Sequence, residues 1–175
     1  SGSFVNAAGP FATSVAETLG IQLPLISVYQ QKLAFQDLQG IIPRDSPFTI
    51  FMDDQHIHWS CEEQDLLARE TEYHWMLERF PGGLHVRPEG KGDSAWIKLG
   101  WAINRTASSP TWDPACSLEF PDIVVRGATC YIPGLSVYAD NLPQPVIQYG
   151  GYYTKTDDNL PLIGPMGISG AYVVG

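Results

Sequence analysis

A single lysine interrupts an otherwise apolar segment, Trp96–Trp101, of the 175-residue chain, and this is the most unusual of its chemically capable residues. If the segment is a strand, Lys98 and Gly100 lie on one side of it. A buried ammonium is costly unless it is paired, and such lysines often have functional roles. Lys98 is therefore either a solvent-facing residue or one that is buried for a reason. Gly100 on the same side would let a flat ligand or a second backbone approach closely.

Two further places could contact a ligand. Tyr153 lies in the aromatic-rich stretch 150–156, where its hydroxyl belongs either to a pocket or to an alternating strand surface. Gly9-Pro10 follows a predicted short strand and precedes a predicted helix. Open α/β sheets hold nucleotides at such a place, although an ordinary strand-to-helix turn has the same pattern.

Other chemical patterns in the sequence carry less weight. His56 and His58 share one face of a predicted strand, which indicates a polar strand face beside a turn, and no metal site is predicted. The G-x-x-G-x-x-G at 164–170 precedes a strand instead of opening a helix, so its glycines indicate turns. The three cysteines are widely spaced. This spacing argues against a disulfide framework and favours reduced thiols in an intracellular protein.

The composition excludes several classes of function. Lys and Arg number 10 against 19 Asp and Glu, and the net charge of −9 argues against binding to nucleic acids or anionic membranes. Hydrophobic residues make up 44% of the chain, which is typical of a globular protein. We find no apolar run of the roughly 18 residues that a membrane helix needs, and no secretory signal.

Hydrophobic patterning predicts the elements that position these residues. The predicted strands cover 3–8, 26–35, 48–53, 56–59, 84–87, 96–102, 146–154 and 171–174. The predicted helices cover 11–19, 62–79, 120–132 and 135–141, and residues 161–165 read as a tight connection. Ser60 and Glu63 resemble a capping box before the second helix. The predicted fold class is α+β, with a largely antiparallel mixed sheet flanked by helices.

Five segments of the sequence match one known family in their order and spacing. They are Val5–Ala12, Gly83–Pro88, Ile97–Trp101, Gly151–Thr156 and Pro161–Pro165. Together they resemble the D-amino-acid-oxidase-like flavoenzymes. The first looks like the segment that follows the second half of the FAD-binding fold. The next two resemble paired strands of the sarcosine-oxidase branch, and the last two resemble a late strand that ends near the flavin ring.

The resemblance implies an FAD-dependent oxidoreductase that oxidises the C–N bond of an amine or amino acid, with O2 as the favoured acceptor. In the family, the lysine at the position of Lys98 lies against the flavin and promotes electron transfer to oxygen, since a cation stabilises the charge developing there. His85 falls where the sarcosine-oxidase branch has an active-site tyrosine. His85 and Tyr153 are the implied substrate contacts, and Ala8, Gly9 and Pro10 the implied contacts of a non-covalent FAD.

The sequence departs from the family at three places. Gly151 replaces the cysteine of the covalent-flavin members, which excludes covalent attachment there. Ala102 replaces an active-site histidine. Tyr153 stands where some relatives have an arginine, which leaves no obvious partner for a substrate carboxylate. The substrate class is therefore open between an amine and an amino acid.

The resemblance also implies a division of the chain. Residues 1–20 would be a Rossmann-type remnant of the FAD-binding domain, 21–162 the substrate-binding domain, and 163–175 the return into the FAD-binding domain. Because the phosphate-binding G-x-G-x-x-G is missing, we expect the chain alone to bind FAD weakly and to be inactive. We also expect self-association through the surface that would face the FAD domain. The alternatives are a non-catalytic module that binds a small molecule or a protein, and an α+β domain without a site.

Overall fold

Two β-sheets and three α-helices make up the computed structural model, which describes residues 2–175. The strands are β1 (Phe4–Asn6), β2 (Ile26–Gln36), β3 (Thr49–Phe51), β4 (Leu84–Pro88), β5 (Trp96–Trp101), β6 (Ile147–Lys155), β7 (Ile163–Pro165) and β8 (Ala171–Val174). The α-helices are α1 (Ala12–Glu17), α2 (Cys61–Arg69) and α3 (Phe120–Thr129). Three 3-10 helices cover Gly9–Phe11, Thr71–Leu77 and Pro133–Tyr138. None of the helices within residues 2–175 is long and apolar enough to cross a bilayer.

The larger sheet has the strand order β3-β4-β5-β2-β6. The pairings of β3 with β4, β4 with β5 and β5 with β2 are antiparallel. In this register His85 lies opposite Gly100, which in turn lies opposite Lys32. One step along the strands, Arg87 lies opposite Lys98. Because directly paired residues share a face of a sheet, these side chains all lie on one side.

The other side of β4 and β5 packs on α3. Helix α3 begins with a proline in its first turn, where the missing N–H costs nothing, and it buries most of its aliphatic residues. Gly127 lets the helix approach the sheet, since a Cβ there would lie 2.3 Å from the ring of Trp101. The buried core of this region includes Leu33, Phe35, Leu84, Val86, Ile97, Leu99, Trp101, Phe120, Ile123 and Val124.

The smaller sheet has the order β1-β8-β7, with β1 parallel to β8 and β7 antiparallel to it. Asn6 is buried at the end of β1 and organises the turn that follows. Its amide nitrogen donates to the carbonyl of Ala12 at 2.8 Å, and its amide oxygen accepts from the backbone N–H of Ala8 at 3.3 Å. A short hydrogen-bonded side chain thus fixes the passage from β1 to α1.

The chain forms two compact units. Unit 1 consists of the described residues up to Gln30 together with Asn104–Pro114 and Gly151–Gly175. Unit 2 consists of Gln31–Ile103 and Ala115–Gly150. The division into 1–20, 21–162 and 163–175, and the assignment of the two end segments to a Rossmann-type domain, stay predictions.

The α+β class with largely antiparallel pairing is confirmed, but three local predictions were wrong. The predicted helix 62–79 ends at Arg69, because Glu70 is extended and residues 71–77 form a 3-10 helix. The segment 56–59 alternates in burial as a strand would, yet the ladder stops at an isolated bridge between Gln55 and Phe80. The predicted connection 161–165 contains β7. A segment as short as 56–59 can alternate between polar and apolar residues whether or not a neighbouring strand pairs with it.

Candidate functional site

The candidate site is the face of β4, β5 and β2 that lies opposite the α3 core. It carries Lys32 from β2, His85 and Arg87 from β4, and Lys98 from β5, and we call these four residues the basic face. They occupy it because the alternate positions of the same strands are apolar and buried. All four belong to unit 2.

Lys98 is paired and mostly buried. Its side chain is 11% exposed, and its ammonium lies 2.5 Å from Oε2 of Glu89. The same oxygen accepts a hydrogen bond from Nη2 of Arg87 at 2.9 Å. The hydrogen bond from Lys98, assisted by Arg87, lowers the pKa of Glu89 although partial burial opposes this. Lys98 therefore lies outside the apolar core, yet it is not a freely solvated surface residue.

His85 crosses over Gly100. A Cβ on Gly100 would lie 2.3 Å from Nε2 of His85, so only a glycine leaves room for the imidazole there. Nδ1 of His85 lies 3.2 Å from the carbonyl oxygen of Gly83, which can only accept, so Nδ1 carries the proton. Burial lowers the pKa of His85, and the charges of Lys32, Lys98 and Arg87 lower it further. The neutral ring thus presents Nε2 as an acceptor.

The other predicted site residues belong to unit 1. Tyr153 lies on β6 and is 49% exposed. Ala8 precedes the 3-10 helix that opens with Gly9, whose φ of 55° suits glycine, and with Pro10. Pro10 also lines an open groove of about 570 Å³ that includes residues of α1 and the segment 107–110. Within single units, the structure thus groups Lys98 with His85 and places Ala8–Pro10 beside a groove.

Three residues of this region were missed in the sequence: Lys32, Arg87 and Glu89. Each lies in or beside a predicted strand. Arg87 and Glu89 are 11 and 9 positions from Lys98, whereas Lys32 pairs with Gly100, 68 positions away, and in each case the register between strands brings the residues together. Alternation within each strand was the available signal, and it does not give the register between strands. No group of three or more His, Cys, Asp or Glu side chains within residues 2–175 is arranged to hold a metal ion.

Comparisons with known proteins show the fold. Neither protein-family models nor curated protein sequences give a match. Among solved structures, glycine oxidase from Geobacillus kaustophilus matches with a TM-score of 0.59 and 14% identity over 98% of this chain and 35% of that one. Glycine oxidase from Bacillus cereus ATCC 14579 matches with a TM-score of 0.55 and 12% identity over 98% of this chain and 36% of that one. The chain therefore shares its fold with about a third of these two glycine oxidases.

Proposed function

We propose that the chain is the substrate-binding part of an FAD-dependent oxidoreductase that oxidises the C–N bond of an amine or amino acid, with O2 as the acceptor. The observation that carries the proposal is the mostly buried ammonium of Lys98 on the side of the sheet away from the α3 core. Lysines that are mostly removed from water often have functional roles. The fold shared with two glycine oxidases supports the same conclusion.

The residues present fit such a cofactor. Nε of Arg87 is buried and has no hydrogen-bond partner within residues 2–175, so the basic face is short of acceptors, and a flavin ring carries acceptors along one edge. Ala8, Gly9 and Pro10 would hold FAD at the end of β1, beside the groove in unit 1. When bound, FAD supplies the oxidation itself by accepting the hydride from the substrate carbon.

The chain's own residues supply charge and orientation. Lys98 places a positive charge where negative charge develops on O2 as it is reduced, and the carboxylate of Glu89 holds the ammonium in place. In unit 2, His85 contacts the substrate; the substrate contact of Tyr153, which belongs to unit 1, stays a prediction. Nε2 of His85 accepts a hydrogen bond from the substrate amine and so keeps its nitrogen lone pair oriented for oxidation.

The test is Lys98→Met in the full-length protein, with Lys91→Met as the matched control because Lys91 is an exposed loop residue. We expect Lys98→Met to slow the reaction of the reduced flavin with O2 by roughly 100-fold or more in stopped-flow measurements, while flavin reduction by substrate changes little. Lys91→Met should behave like the unchanged protein.

Two results would overturn the proposal. Unchanged oxygen reactivity in Lys98→Met would remove Lys98 from the oxidase chemistry. Purified full-length protein without bound flavin would instead favour the non-catalytic binding module that uses the same fold.

A further inference from the structure

The turn between β4 and β5 carries the carboxylate that pairs with Lys98. Glu89 is the first residue after β4, and its Oε2 reaches the ammonium on β5. The backbone N–H of Glu89 donates to the carbonyl of Trp96 at 2.7 Å, and this bond closes the turn at the ends of the two strands. The position of the carboxylate beside Lys98 therefore depends on the geometry of this turn.

Arg44 holds the same turn from another segment of unit 2. Its Nη1 donates to the carbonyl of Trp96 at 2.9 Å, and its Nη2 donates to the carbonyl of Glu89 at 3.0 Å. The two terminal nitrogens of one guanidinium thus contact both sides of the turn. Because the guanidinium is planar and rigid, it fixes two carbonyls relative to each other, which a single ammonium cannot do.

The guanidinium of Arg44 makes these two bonds at the expense of its third donor. Its Nε is buried and has no hydrogen-bond partner within residues 2–175. An unpaired buried donor is costly and rare in folded proteins. The side chain is therefore held where its terminal nitrogens reach the two carbonyls, although this leaves Nε unsatisfied.

The carboxylate of Glu89 has to be fixed because positive charge surrounds it. Arg87 lies opposite Lys98 in the register and donates to the same oxygen of Glu89 at 2.9 Å. Lys32 lies on the same side of the sheet. If the carboxylate moved away, the ammonium of Lys98, whose side chain is 11% exposed, would be left among cations that repel it. One carboxylate thus determines where the ammonium lies.

We propose that Arg44 is a positioning residue for Lys98: Arg44 fixes the turn, and the carboxylate of Glu89 in turn fixes the ammonium. Arg44 acts through Glu89 and not by contact with Lys98 or with the reacting atoms. The inference rests on the proposed function only for what the ammonium does in oxygen reduction. The series of contacts from Arg44 to Lys98 does not depend on that function.

The first test observes the ammonium without turnover. The full-length protein is labelled with a trace of acetic anhydride, and mass spectrometry gives the rate of acetylation at each lysine. We expect Glu89→Gln to raise the rate at Lys98 by about tenfold and Arg44→Met by about threefold, since both release the ammonium from its partner. The exposed Lys155 is the internal reference and should react at the same rate in every variant.

Arg79→Met is the matched control, because the side chain of Arg79 is 64% exposed, and it should leave the acetylation of Lys98 unchanged. If Arg44→Met does not fold, Arg44→Lys takes its place. A lysine there can make only one of the two bonds, so the rate at Lys98 should again rise.

The second test asks whether Arg44 acts through Glu89. The double substitution Arg44→Met with Glu89→Gln should acetylate at Lys98 no faster than Glu89→Gln alone, since Arg44 then has no carboxylate left to position. In stopped-flow measurements Arg44→Met should slow the reaction of the reduced flavin with O2 by about threefold, while flavin reduction by substrate changes little.

Three outcomes would overturn the inference. They are an unchanged rate at Lys98 in Arg44→Met, a double variant in which the two effects multiply, and an equal effect of Arg79→Met. Any of these with the Lys98→Met effect on oxygen intact would remove the role of Arg44 and leave the oxidoreductase proposal. Acetylation of Lys98 that depends on Arg44, without that effect of Lys98→Met, would do the reverse.

Discussion

Asp37 is a buried carboxylate whose partners come from two parts of unit 2. Its oxygens accept from the hydroxyl of Tyr138 at 2.6 Å and from the backbone N–H of Ile42 at 2.7 Å. The Tyr138 hydroxyl also accepts from the backbone N–H of Gln39 at 2.8 Å. Burial, together with the hydrogen bond to Asp37, raises the pKa of Tyr138 to about 12. One hydroxyl thus joins the end of β2 to the 3-10 helix that follows α3.

We predict that Tyr138→Phe lowers the free energy of unfolding at pH 8 by about 1–3 kcal/mol, since it removes the hydroxyl that donates to Oδ1 of Asp37 and accepts from the backbone N–H of Gln39. Urea unfolding measures the change. Tyr149→Phe is the control because Tyr149 is 41% exposed, and it should change the free energy of unfolding little. Equal effects of the two substitutions would contradict the prediction.

The same hydroxyl makes stability depend on alkaline pH. A raised folded-state pKa stabilises the folded protein below the unfolded value near 10, and this contribution is lost as pH rises towards about 12. At about 1.4 kcal/mol per pH unit, the loss attributable to Tyr138 is roughly 2–3 kcal/mol. Repeating the urea series at pH 8, 10 and 11 should show a steeper decline in the unchanged protein than in Tyr138→Phe.

Single residues differ in how well the sequence reveals them. Lys98 could be found because a lysine in an apolar strand is conspicuous within six residues of sequence. Lys32 could not be found in this way, since it follows two glutamines in β2 and only the pairing register shows that it lies opposite Gly100. Glu89 follows β4 directly, and nothing local indicates that its carboxylate reaches Lys98 on another strand.

At the scale of elements, Arg126 ties two helices together. Its Nη2 lies 2.7 Å from a carboxylate oxygen of Glu63 in α2 and 2.6 Å from one of Asp140, and its Nε lies 2.7 Å from Asp122 in α3. The guanidinium also lies over the ring of Trp59 at 5.1 Å. A mostly buried cation with three carboxylates is a network, which contributes more than an isolated surface pair.

We predict that Arg126→Met lowers the free energy of unfolding by about 2 kcal/mol at pH 7, because it leaves the partly buried Asp122 without a cation. Burial already raises the pKa of Asp122 against the opposing effect of Arg126, so the cost should shrink as the pH falls and this carboxyl takes up a proton. Urea unfolding at pH 7 and pH 5 tests both statements.

Arg79→Met is the matched control for this network. Its side chain is 64% exposed and lies 3.8 Å from Asp54, so its loss should cost at most about 1 kcal/mol. If the two arginine substitutions proved equally costly, Arg126 would be an ordinary surface residue.

The start of α2 shows what local sequence can specify, and its end shows what it cannot. Ser60 accepts from the N–H of Glu63, whose carboxylate accepts from the N–H of Ser60, as the capping box predicts. The helix stops early for a tertiary reason. The 3-10 helix Thr71–Leu77 buries Met76 and presents the Met76 carbonyl to the indole N–H of Trp59 at 3.0 Å. The sequence around Glu70 contains no helix stop signal from which this contact could be predicted.

At the scale of the whole molecule, one face of the smaller sheet is exposed and apolar. Val5, Tyr172, Val174 and Ile163 lie on this face and are each more than 40% exposed, while Asn6, Ala171 and Val173 on the other face are buried. Contiguous exposed apolar surface of this kind marks an interaction site. The observation supports the predicted self-association.

We predict that the 175-residue chain sediments as an oligomer as its concentration rises. Ile163→Lys should shift it towards monomer, since a charge on this face opposes association. Leu38→Lys, at a position in unit 2 that is 64% exposed, should leave sedimentation unchanged. A monomer at every concentration would rule the prediction out.

The order of the segments along the chain could be related to a known family, but the pairing between distant segments could not be worked out residue by residue. Patterning predicted a short strand near residue 5 and another at 171–174. That β1 and β8 pair in parallel follows from no feature of either three- to four-residue strand. Strands this short carry too few side chains to specify a partner, so the surrounding structure selects it.

The parallel pairing of Phe4 with Ala171 also determines when β1 can find its partner strand during translation. β1 can pair with β8 only after the chain between Asn6 and Ala171 has been made, whereas β4 and β5 meet after a gap of only a few residues. Local pairings close early and distant ones late. While the residues between them are made, β1 therefore lacks this partner strand and has an unpaired edge that favours aggregation.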